Sequence, residues 1–267
     1  MKPISFLINV KNEEKRLWYI LGCAQKWADE IVVVDKGSTD NTVQVAMSYG
    51  AKVFVDSDHN RYGDEDREKW VTFPENDWIY VGTPSEIPTV KCIQECKRLV
   101  DGDYDLITVP RKMYMLGVHS RYSPWYIAPY KFLINRKYTT VSNKINHNFS
   151  ASRGRVGAVE YAEDCCVYHL TYTSGAYWLR TMIDYWAMES EGSTNIDVDI
   201  QKAYAAITSR DKLLEQGGQE TALLRIAWNL YHLGTAFCLE EKRRGMDIDK
   251  VYKVIQDKLM EEWDNAT

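Results

Sequence analysis

The chain has 267 residues, 45% of them hydrophobic and 27% charged, with 33 Lys plus Arg against 38 Asp plus Glu for a net charge of −5. That length and balance suit one large domain, or one domain with an appendage; they exclude wholesale disorder and argue against a protein that coats nucleic acid through phosphate contacts. No apolar run approaches the roughly 18 residues needed to span a bilayer, and Met1-Lys2-Pro3-Ile4 does not open a secretory leader, so a soluble, cytoplasmic protein is expected.

The first half alternates strand-like and helix-like segments, the pattern of an α/β sheet. Ile4 to Val10 is a short apolar strand broken by Lys11-Asn12-Glu13-Glu14. From Glu14 to Trp27, Leu17, Trp18, Leu21 and Ala24 recur at helical spacing. Ile31-Val32-Val33-Val34 is β-branched and apolar on both faces, so it belongs in the middle of the sheet. The Asp35 to Asp40 turn leads into a helix from about Thr42 to Tyr49, which Thr39 or Asp40 can cap and Gly50 ends. Ala51 to Val55 reads as a third strand and the charged stretch Asp56 to Lys69 as a loop. Asp77 to Val81 is a strand, Thr89 to Leu99 a helix and Asp105 to Pro110 a strand.

Between Lys112 and Tyr138 the aromatics Tyr114, Tyr122, Trp125, Tyr126, Tyr130 and Phe132 crowd together, either lining an acceptor pocket or packing an irregular subdomain. After about residue 175 helices take over. Leu223, Ile226, Ala227, Leu230, Gly234 and Phe237 form one apolar stripe, and Ile248, Val251, Tyr252, Ile255, Leu259 and Trp263 another. Such stripes serve as core or as the interface of a homodimer. The division is therefore 1–175 for the α/β domain and 176–267 for a helical C-terminal region. The 6 cysteines show no zinc spacing beyond Cys92 and Cys96, and buried free thiols are expected.

In an open α/β sheet ligands bind beyond the carboxyl ends of the strands. Three loops leave such ends, Val10 to Glu14, Asp35 to Asp40 and Gly82 to Glu86, so their polar residues should meet along one crevice. Asp35 closes the most apolar strand, where its carboxylate can either accept bonds from a ligand or bind the amides of its own turn. No Gly-x-Gly-x-x-Gly follows the first strand, which disfavours a dinucleotide-binding enzyme. Asp56-Ser57-Asp58 offers a further carboxylate pair on another loop and is expected to be a solvated turn.

Ile8-Asn9-Val10-Lys11-Asn12-Glu13-Glu14, Trp27-Ala28-Asp29-Glu30-Ile31-Val32-Val33-Val34-Asp35, Gly37-Ser38-Thr39-Asp40-Asn41-Thr42 and Tyr49-Gly50-Ala51-Lys52-Val53 resemble the opening of family 2 glycosyltransferases. The nearest likeness is to the branch that includes lipopolysaccharide core glucosyltransferases. It runs over residues 4 to 55 and thins to scattered points up to about 170. The resemblance implies a GT-A fold, a Rossmann-like, mostly parallel sheet flanked by helices, here with an α-helical C-terminal extension. It also implies a nucleoside-diphosphate-sugar donor and inverting transfer to an acceptor hydroxyl or amine. By position, Val10, Asn12, Glu13, Ser38, Thr83 and Ser85 border the nucleotide, and Asp35 holds its base or ribose. The acceptor stays open among glycan, lipid-linked intermediate, protein and modified nucleic acid.

The chain departs from the family at its metal motif. Where relatives place Asp-x-Asp-Glu, it has Thr83-Pro84-Ser85-Glu86. Neutral hydroxyls are weak ligands for Mg²⁺ or Mn²⁺. Either Glu86 holds a divalent metal with help from the diphosphate, or basic residues replace the ion, Arg111, Lys131 and Arg136 foremost among Arg111, Lys112, Lys131, Arg136, Arg153 and Arg155. The third reading is a nucleotide-sugar-binding regulator that has lost catalysis. For the general base, the resemblance points to Asp164 of the Glu163-Asp164 pair, then to His147 in Lys144-Ile145-Asn146-His147-Asn148, where Asn148 replaces a glutamate. His169 matches a late histidine of the catalytic domain or is a hydrogen-bonded core residue.

Overall fold

A computed structural model describes residues 1–57, 66–115, 117, 119, 127–141, 149–171, 173–174, 176–177, 180–181, 245 and 247–266. The elements run β1 (Ile4–Val10), α1 (Glu14–Ala24), β2 (Glu30–Asp35), α2 (Thr42–Ser48), β3 (Lys52–Val55), α3 (Arg67–Trp70), β4 (Trp78–Gly82), β5 (Glu86–Pro88), α4 (Val90–Val100), β6 (Leu106–Met115), β7 (Ile127–Asn135), β8 (Thr139–Val141), β9 (Phe149–Ala151), β10 (Val156–Ala158), β11 (Val167–Thr171) and α5 (Ile248–Ala266).

Nine strands form one mixed sheet in the order β3-β2-β1-β4-β7-β6-β11-β5, with β10 beside β6; β8 and β9 pair separately. β1, β2, β3 and β4 are mutually parallel, with Val10 opposite Asp35 and Ile8 opposite Gly82. The chain steps outward from β1 to β3 and then returns to place β4 on β1's other side. That reversal creates a switch point beyond the carboxyl ends of β1 and β4. β7 runs antiparallel between β4 and β6, and β11 lies parallel to β6. This is the α/β, GT-A type of sheet that the resemblance implies.

Periodicity explains the first half. β2 is buried along its length after Glu30, as its β-branched run requires of a central strand. The helices α1, α4 and α5 cover one face, where Phe6, Tyr80, Leu17, Ile20, Cys92, Ile93, Leu259 and Trp263 share a core. A second core on Leu7, Val32, Val34 and Ile79 takes in Trp70 and Phe149. Gly82 closes β4 because a Cβ there would lie 2.5 Å from Cε2 of the buried Phe6 ring.

Contacts divide the chain into two units, one of Met1–Thr171 with Tyr252–Thr267 and one of Tyr172–Val251. In the first, α5 returns to the sheet: Trp263 Nε1 donates to Pro88 O at 3.1 Å, and Lys26 pairs with Asp264 at 2.7 Å. Tyr252 Oη donates to Thr171 O at 2.7 Å. Thus the last helix of the region expected from 176 onward belongs to the first unit from Tyr252 on. The stripe from Leu223 to Phe237, and with it most of the surface expected to pair two copies, lies outside the described residues. In the second unit, Tyr177 N donates to Ser174 Oγ at 3.1 Å. Among the described residues no helix is long and apolar enough to cross a membrane.

Candidate functional site

The loops after β1 and β2 are laced together by their own polar residues. Asn12, with φ 56° in the left-handed region that Asn tolerates, donates its backbone N–H to Ser38 Oγ at 2.8 Å and accepts from Thr39 N at 2.8 Å. Glu13 N donates to Thr42 Oγ1 at 2.7 Å, and Glu14 N to Asp40 Oδ2 at 3.2 Å. The Glu13 carboxylate grips Arg16 bidentately, at 2.8 Å to Nε and 2.6 Å to Nη2. Val10 packs its side chain into the core, and its carbonyl accepts from Lys36 N at 2.9 Å. Asn12 and Ser38 therefore engage each other, a brace that shapes the crevice rim.

Asp35 is 2% exposed. Its Oδ2 accepts from the backbone N–H of Gly37 at 3.1 Å and of Ser38 at 3.0 Å, so the turn does bind its own aspartate. Oδ1 is buried and accepts no hydrogen bond among the described residues. A buried carboxylate oxygen without a donor is costly, and a ligand N–H or O–H would relieve it.

The third strand end builds a charged cluster. Glu86, fully buried, accepts from Arg111 Nη1 at 3.0 Å, and His169 Nδ1 lies 3.5 Å from the same oxygen. The β11–β5 pairing sets His169 opposite Glu86, and the β11–β6 pairing sets it opposite Met113. Burial pushes the Glu86 carboxyl up against the pull of Arg111. Burial, then Arg111 and Arg16, hold His169 well below the usual histidine range, which keeps it neutral. The Arg111 guanidinium lies 4.1 Å over the Tyr130 ring, and its Nε is buried with no partner among the described residues. The hydroxyls of Thr83 and Ser85 are 3.1 Å apart, and Ser85 O accepts from Leu170 N at 2.7 Å. Asn12, Glu13, Asp35, Ser38, Thr83 and Ser85 thus lie in or at the loops that leave β1, β2 and β4, while Glu86 opens β5 and meets Arg111 from within β6.

Other expected residues lie elsewhere. Arg136 sits at the amino edge of the parallel strands, where its guanidinium donates to Pro74 O at 2.6 Å and Glu75 O at 2.9 Å. An open pocket of about 370 Å³ beside Trp78, Asn135 and Lys137 also belongs to that edge, away from Asp35. Lys131 stands opposite Thr108 in β7; its side chain, like His147, falls outside the described residues. The acidic pair diverges, Asp164 meeting Lys91 Nζ with both oxygens at 3.1 Å and Glu163 meeting Lys112. The Glu163 carboxyl is lowered by the bonds from Lys112 and then Tyr161. Lys112 itself lies 5.2 Å from the Tyr168 ring, which stacks on Tyr114 at 5.9 Å. Tyr122, Trp125 and Tyr126 are outside the described residues, whereas Phe132 is fully buried core. Asp56 is no solvated turn: it is 7% exposed and accepts from Lys69 Nζ at 2.9 Å and Trp70 Nε1 at 2.7 Å. Its companion Asp58 is not among the described residues.

Sequence reasoning missed Arg16. The signal was present, since an arginine three residues after Glu13 shares a helical face with it. The donor set at the third strand end does not suit a divalent ion. Two neutral hydroxyls and one carboxylate already facing a guanidinium leave no cage of anionic oxygens. Among the described residues no group of three His, Cys, Asp or Glu side chains is placed to hold a metal. Cys23, Cys92, Cys96, Cys165 and Cys166 are buried free thiols, Cys23 pushed up to about 12 by burial. Cys238 is not described.

Comparison with known proteins places the chain in a family. An uncharacterized glycosyltransferase of Rickettsia bellii (strain RML369-C) is 31% identical over 149 residues, 54% of this chain and 50% of the relative. A 4,4'-diaponeurosporenoate glycosyltransferase of Staphylococcus aureus (strain USA300) is 39% identical over 67 residues, 23% of this chain and 18% of the relative. The chain spans about half the length of the Rickettsia bellii relative and less of the others. Among solved structures, glucosyl-3-phosphoglycerate synthase from Mycobacterium tuberculosis, in complex with Mn²⁺, uridine diphosphate and glucosyl-3-phosphoglycerate, aligns at TM-score 0.35 and 18% identity over 42% of this chain and 44% of that one. The family model described as glycosyl transferase family 2 matches residues 5–156, more than half of the 267. The chain therefore belongs to glycosyl transferase family 2.

Proposed function

We propose that the chain moves a sugar from a nucleoside-diphosphate sugar to an acceptor hydroxyl or amine, with inversion at the anomeric carbon. The observation that carries this reading is Asp35: a buried carboxylate beside the switch point, locked through Oδ2 and left with an unsatisfied Oδ1. A base N–H or a ribose hydroxyl supplies the missing donor. Glu13, Asn12 and Ser38 hold the surrounding loops rigid, so little ordering remains to be done when the nucleoside arrives. The likeness over residues 4 to 55 supports a place near the lipopolysaccharide core glucosyltransferase branch.

In the transfer the acceptor oxygen or nitrogen attacks the anomeric carbon from the face opposite the diphosphate. The bond from that carbon to the diphosphate oxygen breaks, its electron pair leaves with the nucleoside diphosphate, and the acceptor's proton passes to a base. That base is left unassigned, because Asp164 is exposed and paired with Lys91 away from the crevice and Glu86 is sealed under Arg111. A divalent metal, where a family member uses one, neutralises the departing diphosphate. The residues here do not fit such an ion, and no step is assigned to it.

The test is release of nucleoside diphosphate from a panel of donor sugars by the full chain, with and without acceptor extracts. The anomeric configuration of the product would be read by NMR. Turnover that Asp35→Asn lowers at least tenfold supports the reading. A second reading, a donor-binding protein without turnover, draws on Thr83 and Ser85 in the place of aspartates. It is favoured if the panel binds and nothing is released.

A further inference from the structure

We infer that Arg16 and Arg111, in place of a divalent cation, neutralise the diphosphate that departs with the nucleoside. This rests on the proposed donor chemistry and names how the same crevice handles its charge.

Five observations carry it. At the position that would hold metal ligands, Thr83 and Ser85 bond to one another, and the one remaining carboxylate, Glu86, faces Arg111 through Oε1. Arg111 is fixed on three sides: by Glu86 through Nη1, by the Tyr130 face, and by the strand pairing that sets it opposite Val167 and Ala128. Among the described residues its Nε is nonetheless a buried donor without an acceptor, the mirror image of Asp35 Oδ1. Arg16 approaches from the first strand end, its guanidinium aimed by the Glu13 fork. The charges of Arg111 and Arg16 both help burial hold the same imidazole, His169, below its usual range.

The remaining basic candidates with described side chains are engaged elsewhere. Arg153 forks Asp105 and Asp103, Arg155 pairs with Asp103, Lys112 with Glu163, and Arg136 caps carbonyls at the far edge. Guanidinium suits the task that remains. It is planar, stays protonated through any workable pH, and meets two phosphate oxygens at once. As the bond from the sugar to the diphosphate oxygen breaks, the electron pair adds negative charge to the leaving group. Fixed donors aimed at that charge favour the transition state over the bound donor.

The experiment is calorimetric titration of the full chain with UDP, GDP, CDP and ADP and with the four parent nucleosides, in EDTA and again with Mn²⁺. One diphosphate is expected to bind in EDTA, with affinity that Mn²⁺ changes by less than about threefold. Arg16→Met, and the charge-balanced double variant Glu86→Gln with Arg111→Met, are each expected to weaken that diphosphate about tenfold or more and to leave its nucleoside within about twofold. The double variant avoids stranding a buried carboxylate, and circular dichroism verifies its fold. Asp35→Asn should weaken nucleoside and diphosphate alike. Diphosphate binding that requires Mn²⁺, or that neither arginine variant weakens, overturns the inference while Asp35-dependent nucleoside binding leaves the donor reading standing. Absence of binding by every nucleoside and diphosphate overturns both.

Discussion

At the scale of single residues the Glu86, Arg111 and His169 cluster determines how the crevice tolerates change. Removing Arg111 alone leaves a carboxylate sealed from water, so Arg111→Met should cost about 3–5 kcal/mol in urea unfolding. Adding Glu86→Gln should return much of that loss, and the double-mutant cycle measures the coupling. His169 makes a pH prediction of definite sign. Its folded-state pKa lies below that of the unfolded chain, so below the ordinary histidine value of 6.5 the unfolded chain takes up a proton that the native site refuses. Its contribution to stability should therefore fall with pH from about 6.5 down to the depressed native value, by up to about 1.4 kcal/mol per pH unit. Denaturation midpoints at neutral and mildly acidic pH, compared with those of His169→Gln, test this; an equally steep fall in the variant would assign the slope to other groups. Asp35 could be read from sequence because a long β-branched run delivers it to a sheet edge. For Arg16 the sequence shows only the local pairing with Glu13; its relation to His169 depends on β11, a strand far along the chain.

At the scale of elements, the first half was legible and the second much less so. The strand from Ile4 to Val10 has the expected limits, and β2, β3 and β4 agree within a residue or so at each end, because apolar runs bounded by turns define them locally. β5 escaped notice: it has three residues, ends in Pro88 and exists by pairing with β11. β6 runs five residues past the expected Pro110, since that proline faces Pro129 across β7 and neither position needs to donate there. Such elements are fixed by partners distant in sequence. The close of β4 gives a sharp test. Gly82→Ala drives a methyl into the Phe6 ring, which is itself held by Trp27 at 5.9 Å and Tyr80 at 5.8 Å. A loss of about 1–3 kcal/mol is expected in chemical denaturation, together with weaker nucleoside binding as the Thr83–Ser85 turn shifts.

At the scale of the whole molecule, the last helix belongs to the core formed by the first residues. Trp263, 4% exposed, enters the same cluster as Phe6 and Leu17 and bonds to the end of β5. Trp263→Ala should cost about 3–5 kcal/mol, and a chain stopped before Ile248 should bind a hydrophobic dye that the full chain excludes. Neither outcome follows from the helical stripe alone, which equally suits a second copy as its partner.

The bond from Tyr252 to Thr171 carries one more consequence. It pins together the two points between which some eighty residues leave and rejoin the sheet unit, like the clasp of a necklace. A short glycine-serine bridge laid across that clasp, in place of 172–247, should yield a smaller protein that still folds and still takes up nucleosides. Failure to fold would mean that the sheet unit needs the excised residues.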